Sequence, residues 1–224
     1  MSSLDENLVA VVDAPRRLYR VGRDTNPIAY SYITPDIDAD DKLGYRFDVL
    51  GAGVMYASTV PLGAYTETVQ NYRLTASTYA ACAKAQPGLM VSGNLPADWR
   101  DHRRLIGFSV PDGLPFLDVD ASDSHTALTR QLGAELAGLG FEHLDIAVVR
   151  SNHRLVTRLI ATWSYLQTMT DGSPRYSGIR FVSKLGHYEC WALFEGVPIA
   201  DVELSLIRLD DLQAACKPLG VWAH

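Results

Sequence analysis

The sequence predicts an α+β domain with mixed or antiparallel sheets and flanking helices. Short runs of strand-forming residues, one of which alternates apolar residues with arginines, predict strands in both halves of the chain. Longer segments with apolar residues about one turn apart predict helices between them. The two kinds of segment do not follow the regular strand-helix-strand order of a parallel sheet, so we expect either one mixed sheet or two packed sheets.

The first third of the chain is predicted to contain two strands, a long loop and a helix. Apolar residues alternate with arginines in the first strand, and prolines and aspartates fill the loop, whose length is typical of lids and binding loops. Thr59 is the predicted N-cap of the helix and Pro61 lies in its first turn. The predicted bounds are a strand at 16–23, a loop at 24–43, a strand at 54–58 and a helix from there to about residue 72.

The rest of the chain is predicted to alternate strands and helices before ending in three strands and a short helix. Leu128, Leu132, Leu136 and Leu139 lie about one turn apart and predict a helix that Asp120 opens. The predicted bounds are a weaker helix at 77–84, an irregular stretch at 86–100, strands at 104–110 and 115–119, helices at 120–139 and 152–167, strands at 178–183, 188–194 and 202–209, and a helix at 210–216.

Composition predicts a single cytoplasmic domain spanning residues 1–224. Hydrophobic residues make up 47% of the chain and charged residues 21%, with no repeat, linker, apolar run of membrane-spanning length or export signal. A net charge of -6 argues against direct nucleic-acid binding. The three cysteines and six histidines show no metal-ligand spacing, so we expect no metal site and no disulfide framework.

The densest chemistry lies between residues 44 and 69, where Arg46, Tyr56 and Glu67 follow one another on adjoining segments. An arginine fork matches phosphate oxygens, and a tyrosine ring can stack on a base. A glutamate can face the positive charge that develops on a sugar when its glycosidic bond breaks. This stretch therefore suggests a site for a phosphorylated nucleoside.

Five short motifs occur in an order and spacing that resemble the RES domain, the NAD-degrading toxin of bacterial toxin-antitoxin pairs. They are Leu-Tyr-Arg ending at Arg20, Gly-Tyr-Arg-Phe-Asp around Arg46, Met-Tyr-Ala around Tyr56, Ala-Tyr-Thr-Glu ending at Glu67, and Tyr-Ser-Gly-Ile-Arg-Phe-Val-Ser ending at Ser183. The likeness covers a core at about 16–198 and leaves 199–224 as a C-terminal strand and helix extension. The chain departs from it in Tyr-Arg-Phe-Asp, where many members carry Gly-Arg-Trp-Asn, and in a longer segment at 86–100.

The resemblance implies a fold like the ADP-ribosyltransferase core, with NAD bound in a cleft between two sheets. It implies an enzyme that cleaves the nicotinamide glycosidic bond and passes ADP-ribose to water or phosphate, with NAD as substrate and no cofactor. It also implies a protein partner, an antitoxin with a DNA-binding domain, and a homodimer is possible. The alternatives are a mono-ADP-ribosyltransferase that modifies a protein and a catalytically silent NAD-binding module.

Within this reading, Arg20 and Arg46 bind the two charges of the NAD pyrophosphate. The plainer alternative is that these arginines pair with surface carboxylates such as Asp24 and Asp48. Glu67 is the catalytic carboxylate, which holds the ribose and stabilises its cation. One carboxylate is enough because nicotinamide leaves as a neutral molecule, whereas ordinary glycoside hydrolysis uses two. The alternative for Glu67 is a solvated residue on an exposed helix face.

Tyr56 and Ser183 complete the predicted site. Tyr56 is expected to stack on the nicotinamide or to position the ribose, although a tyrosine in a strand is more often a core residue. Ser183 is expected to donate a hydrogen bond to the substrate or to orient Glu67, although a serine at a strand end more often belongs to a turn.

Overall fold

One mixed sheet organises the protein, and helices pack against it. The computed structural model describes residues 3–77, 80, 93–96 and 98–224. In these residues, nine strands form one sheet in the order β1-β2-β6-β7-β8-β4-β3-β5-β9. Neighbouring strands are antiparallel except for β6 and β7, which are parallel. The predicted class, α+β with a large mixed sheet and flanking helices, is confirmed.

The strands and helices have the following bounds. The strands are β1 (Ser3–Leu4), β2 (Ala10–Asp13), β3 (Leu18–Arg23), β4 (Val54–Ser58), β5 (Arg103–Ser109), β6 (Pro115–Asp118), β7 (Gly178–Val182), β8 (Glu189–Phe194) and β9 (Ala200–Leu206). The helices are α1 (Pro35–Ala39), α2 (Pro61–Val69), α3 (Ser122–Gln131), α4 (Gly133–Gly138), α5 (Ile146–Val149), α6 (Arg154–Leu166) and α7 (Leu209–Cys216). A 3₁₀ turn at Gln70–Tyr72 continues α2.

The sheet is weakest between β3 and β4. These two strands share one residue pair, Tyr19 with Ser58, whereas β4 matches β8 along its whole length and β3 does the same with β5. The sheet therefore separates into a six-strand part that ends at β4 and a three-strand part that begins at β3. The resemblance implies a cleft between two sheets. The described strands instead form one sheet, whose two parts are joined by the single pair between β3 and β4.

Buried side chains form three clusters around this join. The largest packs α3 and α6 against the six-strand part, with Leu128 and Ile160 fully buried. A second joins α2 to α7 through Tyr65, Val69 and Trp99. The third lies over β3, β5 and β8. Because α7 packs on α2 and β9 pairs with β5, the segment predicted as an extension, 199–224, is part of the sheet and core.

Most predicted elements are confirmed within one or two residues, and the exceptions have local causes. The predicted loop at 24–43 contains the short helix α1, which begins at Pro35. The helix predicted for 120–139 is two helices, α3 and α4, that meet at Leu132. The strands β1 and β2 and the helix α5 were not predicted, and the helix predicted for 77–84 and the irregular stretch at 86–100 lie largely outside the described residues.

Thr59 does not cap α2 as predicted. The N-cap residue is Val60, and Pro61 takes the first helical position as expected. The Thr59 hydroxyl lies 3.0 Å from a carboxylate oxygen of Glu189 and 3.2 Å from the indole nitrogen of Trp191, so it ties the start of α2 to β8. In the described part of the chain, no helix is long and apolar enough to cross a membrane.

Candidate active site

A cavity of about 490 Å³ opens where β3 and β4 separate. Its volume is within the range of pockets that hold small molecules and cofactors. Four of the five predicted site residues line it: Arg20 from β3, Arg46 from the loop before β4, Tyr56 from β4 and Glu67 from α2. Ser183, which follows β7, reaches the site through Glu67. Residues far apart in the sequence thus meet at one place.

Glu67 is held by hydrogen bonds to both of its carboxylate oxygens. Ser183 Oγ donates to Oε1, and Gln70 Nε2 donates to Oε2 at 2.8 Å. Ser183 Oγ also accepts a bond from the backbone N–H of Leu185 at 3.0 Å, so its own hydrogen is directed to Glu67. Ser183 is buried and does not line the cavity. Two roles were predicted for Ser183, a hydrogen bond to the substrate and the orientation of Glu67. The geometry supports the orientation of Glu67.

The placement of Glu67 follows from how α2 packs. Tyr65 and Val69 face the buried cluster shared with α7, which turns Glu67 toward the cavity. The helix lies close to β4 because residue 63 is glycine: a Cβ there would lie 2.2 Å from Ser58 Oγ. Glu67 is partly buried and bonded, so the alternative of a freely solvated helix residue is wrong.

Arg46 is buried beside two aromatic rings. Its guanidinium carbon lies 5.0 Å from the ring centres of both Phe47 and Phe181, a cation-π arrangement. Nη2 donates to the carbonyl of Val149 at 2.8 Å, and Nε is buried without a partner. Burial lowers the pKa of Arg46, while Asp120 and Glu67 act in the opposite direction. The guanidinium stays charged at neutral pH.

Arg20 projects from β3 into the cavity. Nη1 donates to the carbonyl of Ala29 at 2.6 Å, which fixes the loop after β3, and Nε is buried without a partner. Burial lowers the pKa of Arg20 to about 10, so the side chain remains protonated at neutral pH. A buried cation of this kind is stabilised when an anion approaches it.

The surface ion pairs considered for these arginines are absent from the described residues. A carboxylate oxygen of Asp24 lies 3.7 Å from Nη2 of Arg104, so Asp24 forms its ion pair with Arg104 and not with Arg20. Asp48 accepts hydrogen bonds from the hydroxyl of Tyr56 and from the backbone N–H of Tyr45. The plainer reading of Arg20 and Arg46 as surface pairs with these carboxylates is therefore wrong.

Tyr56 lines the cavity with its ring, while its hydroxyl is engaged. The hydroxyl donates to Asp48 Oδ1 at 2.8 Å and accepts from the N–H of Phe47 at 3.1 Å. Burial, followed by the charge of Asp48, raises the pKa of Tyr56 well above its ordinary value. Since the hydroxyl has its partners, Tyr56 can offer the substrate its ring, which also lies 5.2 Å from the ring of Tyr45.

Three more cations line the cavity and were not predicted from the sequence: Arg103, Arg154 and Lys184. Arg154 begins α6, and Lys184 follows Ser183 in a turn. No local pattern distinguishes either from a solvated surface residue, since only the fold brings them to the cavity. An aromatic group, Tyr30, Tyr45, Tyr72 and Trp99, also lines it.

The cavity is strongly positive although the whole chain is negative. Of the charged side chains that line it in the described residues, five are cations, Arg20, Arg46, Arg103, Arg154 and Lys184, and one is an anion, Glu67. The protein as a whole carries a net charge of -6. Such a local field favours an anionic ligand, and the aromatic side chains of the lining suit a ligand that also carries rings. Across the described residues, no three His, Cys, Asp or Glu side chains are grouped so that they could hold a metal ion.

Comparison with models of known protein families finds none that matches this sequence, and a search of curated proteins finds no match either.

Proposed function

We propose that the protein is a RES-type enzyme that consumes NAD by cleaving the bond between nicotinamide and ribose. The observation that carries this proposal is the meeting of Arg20, Arg46, Tyr56 and Glu67 in one cavity, with Ser183 bonded to Glu67. These are the five residues to which the sequence motifs point, and a chance resemblance would not require them to meet.

The cations of the cavity suit the pyrophosphate of NAD. Arg20 and Arg46 each have a buried Nε that finds no acceptor among the described residues, and buried polar groups normally have partners. Phosphate oxygens bound between the two side chains would supply them, in charge-assisted hydrogen bonds. The ring of Tyr56 and its aromatic neighbours would contact the nicotinamide or the adenine.

Glu67 would act on the ribose. When the glycosidic bond breaks, its electron pair goes to the positively charged nitrogen of nicotinamide, which leaves as a neutral molecule. The ribose carbon left behind becomes cation-like, and the Glu67 carboxylate, held in place by Ser183 and Gln70, stabilises it. Phosphate, or water that gives up a proton to the solvent, then forms the new bond to this carbon. Ser183 is a positioning residue in this scheme, since it reaches the substrate only through Glu67.

The fold and the biological setting belong to the same proposal. A sheet that opens between β3 and β4 to form the cavity supports an ADP-ribosyltransferase-like fold. By the resemblance, the protein would act in the cytoplasm as the toxin of a toxin-antitoxin pair. The antitoxin, a protein with a DNA-binding domain, would hold this activity in check.

The proposal is tested by incubating the purified protein with NAD labelled in its adenine ring and separating the products. Release of free ADP-ribose or its phosphate ester, together with nicotinamide, is the expected result. Label retained on protein would favour a mono-ADP-ribosyltransferase instead. Intact NAD after hours of incubation, with NAD bound at equilibrium, would contradict the enzyme and favour a silent binding module.

A further inference from the structure

Arg154 has more buried nitrogens without an acceptor among the described residues than either arginine predicted from the sequence. Its Nε and Nη1 are both buried in this way, whereas in Arg20 and in Arg46 only Nε is. Arg158, one turn further along α6, is a useful contrast. Its Nε also lacks a partner, but its other nitrogens donate to backbone carbonyls of the loop around α1. Arg158 therefore has a structural role that Arg154 lacks.

Arg154 lines the cavity together with two other cations near Glu67. Burial lowers the pKa of Arg154, while Tyr56, Asp48 and Glu67 act in the opposite direction. Lys184 is solvent-exposed at the rim, and its Nζ donates to the side-chain carbonyl of Asn152. Partial burial and the charges of Arg154 and Arg46 lower the pKa of Lys184. Arg46, Arg154 and Lys184 thus repel one another at this side of the cavity.

A cluster of like charges at a cavity wall is stabilised by an anion. Glu67 supplies one negative charge, but Ser183 and Gln70 already donate to its two oxygens. Nε and Nη1 of Arg154 belong to the two different forks of its guanidinium, Nε with Nη2 and Nη1 with Nη2, and either fork can hold two oxygens of an oxyanion. A phosphate has more oxygens than a carboxylate, so it can accept from Arg154 and from a neighbouring cation at the same time.

We propose that Arg154 and Lys184, with Arg46, form a phosphate-binding subsite beside Glu67. The subsite rests on the proposed function, since it would place a phosphate group next to the bond that is cleaved. Two sources have the same chemistry. One is a phosphate of the dinucleotide itself, and the other is a free phosphate ion that occupies the acceptor position.

The test measures binding by titration calorimetry at constant ionic strength. NAD, ADP-ribose and inorganic phosphate are the probes, and the parent protein carries Glu67→Gln so that NAD is not consumed. In that background, Arg154→Gln and Lys184→Gln are compared with Arg130→Gln, which removes the same charge from an exposed position on α3. Thermal melting shows whether each variant is folded. Lys184 is exposed, so its variant carries the test if Arg154→Gln does not fold.

We expect Arg154→Gln to weaken at least one probe about tenfold, Lys184→Gln to weaken the same probe, and Arg130→Gln to change none. Loss of NAD and ADP-ribose binding identifies the dinucleotide as the source, and loss of phosphate binding alone identifies a free ion. If each probe binds the Arg154 and Lys184 variants as tightly as it binds the Arg130 variant, the proposal of a phosphate subsite is wrong. If the parent binds phosphate through Arg154 but neither NAD nor ADP-ribose, the subsite stands and the proposed function fails. If the parent binds no probe, both fail.

Discussion

The arginines of the cavity are the clearest sign that the site is built for a ligand. Arg20, Arg46 and Arg154 all have buried nitrogens without an acceptor in the part of the chain that the structure describes. Leaving such a group unpaired costs roughly 1–3 kcal/mol, and more when the group is charged. Four such nitrogens around one cavity, on three arginines, lower the stability of the fold. Binding an anionic ligand would recover that free energy.

Glu67 gives the sharpest prediction at the scale of one residue. Glu67→Gln keeps the shape of the side chain but removes the charge that would face the ribose cation. We expect nicotinamide release to fall by about a hundredfold or more, because an electrostatic contact of this type acts mainly in the transition state. The release rate under saturating NAD measures it. The control is Glu142→Gln, at an exposed position outside the cavity, and equal rates in the two variants would contradict the role of Glu67.

Tyr56 gives a prediction about stability. Tyr56→Phe removes the hydroxyl that donates to Asp48 and accepts from the N–H of Phe47. Because Asp48 is buried, we expect the free energy of unfolding to fall by about 1–3 kcal/mol in urea denaturation. NAD binding should change less, since the ring remains. Tyr165→Phe, at an exposed position, is the control, and similar stabilities in the two variants would show that the hydroxyl bonds contribute little.

At the scale of elements, the contact between α2 and β4 sets the position of Glu67. Gly63→Ala would place a methyl group against Ser58 and Tyr188. We expect the free energy of unfolding to fall by about 1–3 kcal/mol from overpacking. Glu67 lies one turn further along α2, so a small shift of the helix should also lower activity, on the order of tenfold to a hundredfold.

Gly133→Ala is the matched control for Gly63→Ala. Gly133 begins a different helix, α4, and nothing lies within 4 Å of a Cβ at this position. We expect it to leave activity unchanged and to raise the free energy of unfolding by up to about 1 kcal/mol. Urea denaturation and nicotinamide release are measured on both variants. If Gly63→Ala behaves like Gly133→Ala, the close packing of α2 on β4 does not control the site.

The elements that the sequence predicts well are those whose local patterns agree with their burial. The strand β4 is a continuous apolar run that is largely buried, and α2 has a proline at its first helical position; both elements occur where predicted. The break between α3 and α4 was missed because Leu128, Leu132 and Leu136 are all buried, so the apolar repeat continues through it. The strands β1 and β2 were missed because they are short and gain their stability from pairing within the sheet.

At the scale of the whole molecule, the site exists because the sheet is divided. The pairing of β3 and β4 ends after one residue pair, and the gap between them becomes the cavity. The motifs around Arg20, Arg46, Tyr56, Glu67 and Ser183 were visible in the sequence through their resemblance to a family. Their meeting point was not, and neither were Arg154 and Lys184. These two reach the cavity from the start of a helix and from a turn, positions that look like ordinary surface.

The contrast between a negative protein and a positive cavity leads to a prediction about salt. Raising ionic strength from about 0.1 M to about 1 M shortens the Debye length from about 10 Å to about 3 Å. We expect KM for NAD to rise on the order of tenfold while kcat changes little, because the cations of the cavity attract the pyrophosphate. Steady-state kinetics across the salt series measures both. Inhibition by nicotinamide, which is neutral, is the control and should not depend on salt. A KM that does not depend on salt would contradict electrostatic binding.

The proposed function requires one NAD molecule to lie in the cavity between β3 and β4, with its pyrophosphate on the arginines and its nicotinamide ribose at residue 67. A crystal structure of the Glu67→Gln variant with NAD is the decisive experiment. We expect phosphate oxygens within hydrogen-bond distance of Arg20 or Arg46, and ribose hydroxyls next to the side chain at position 67. NAD bound outside this cavity, or bound within it with its ribose away from position 67, would show that the proposed site is wrong.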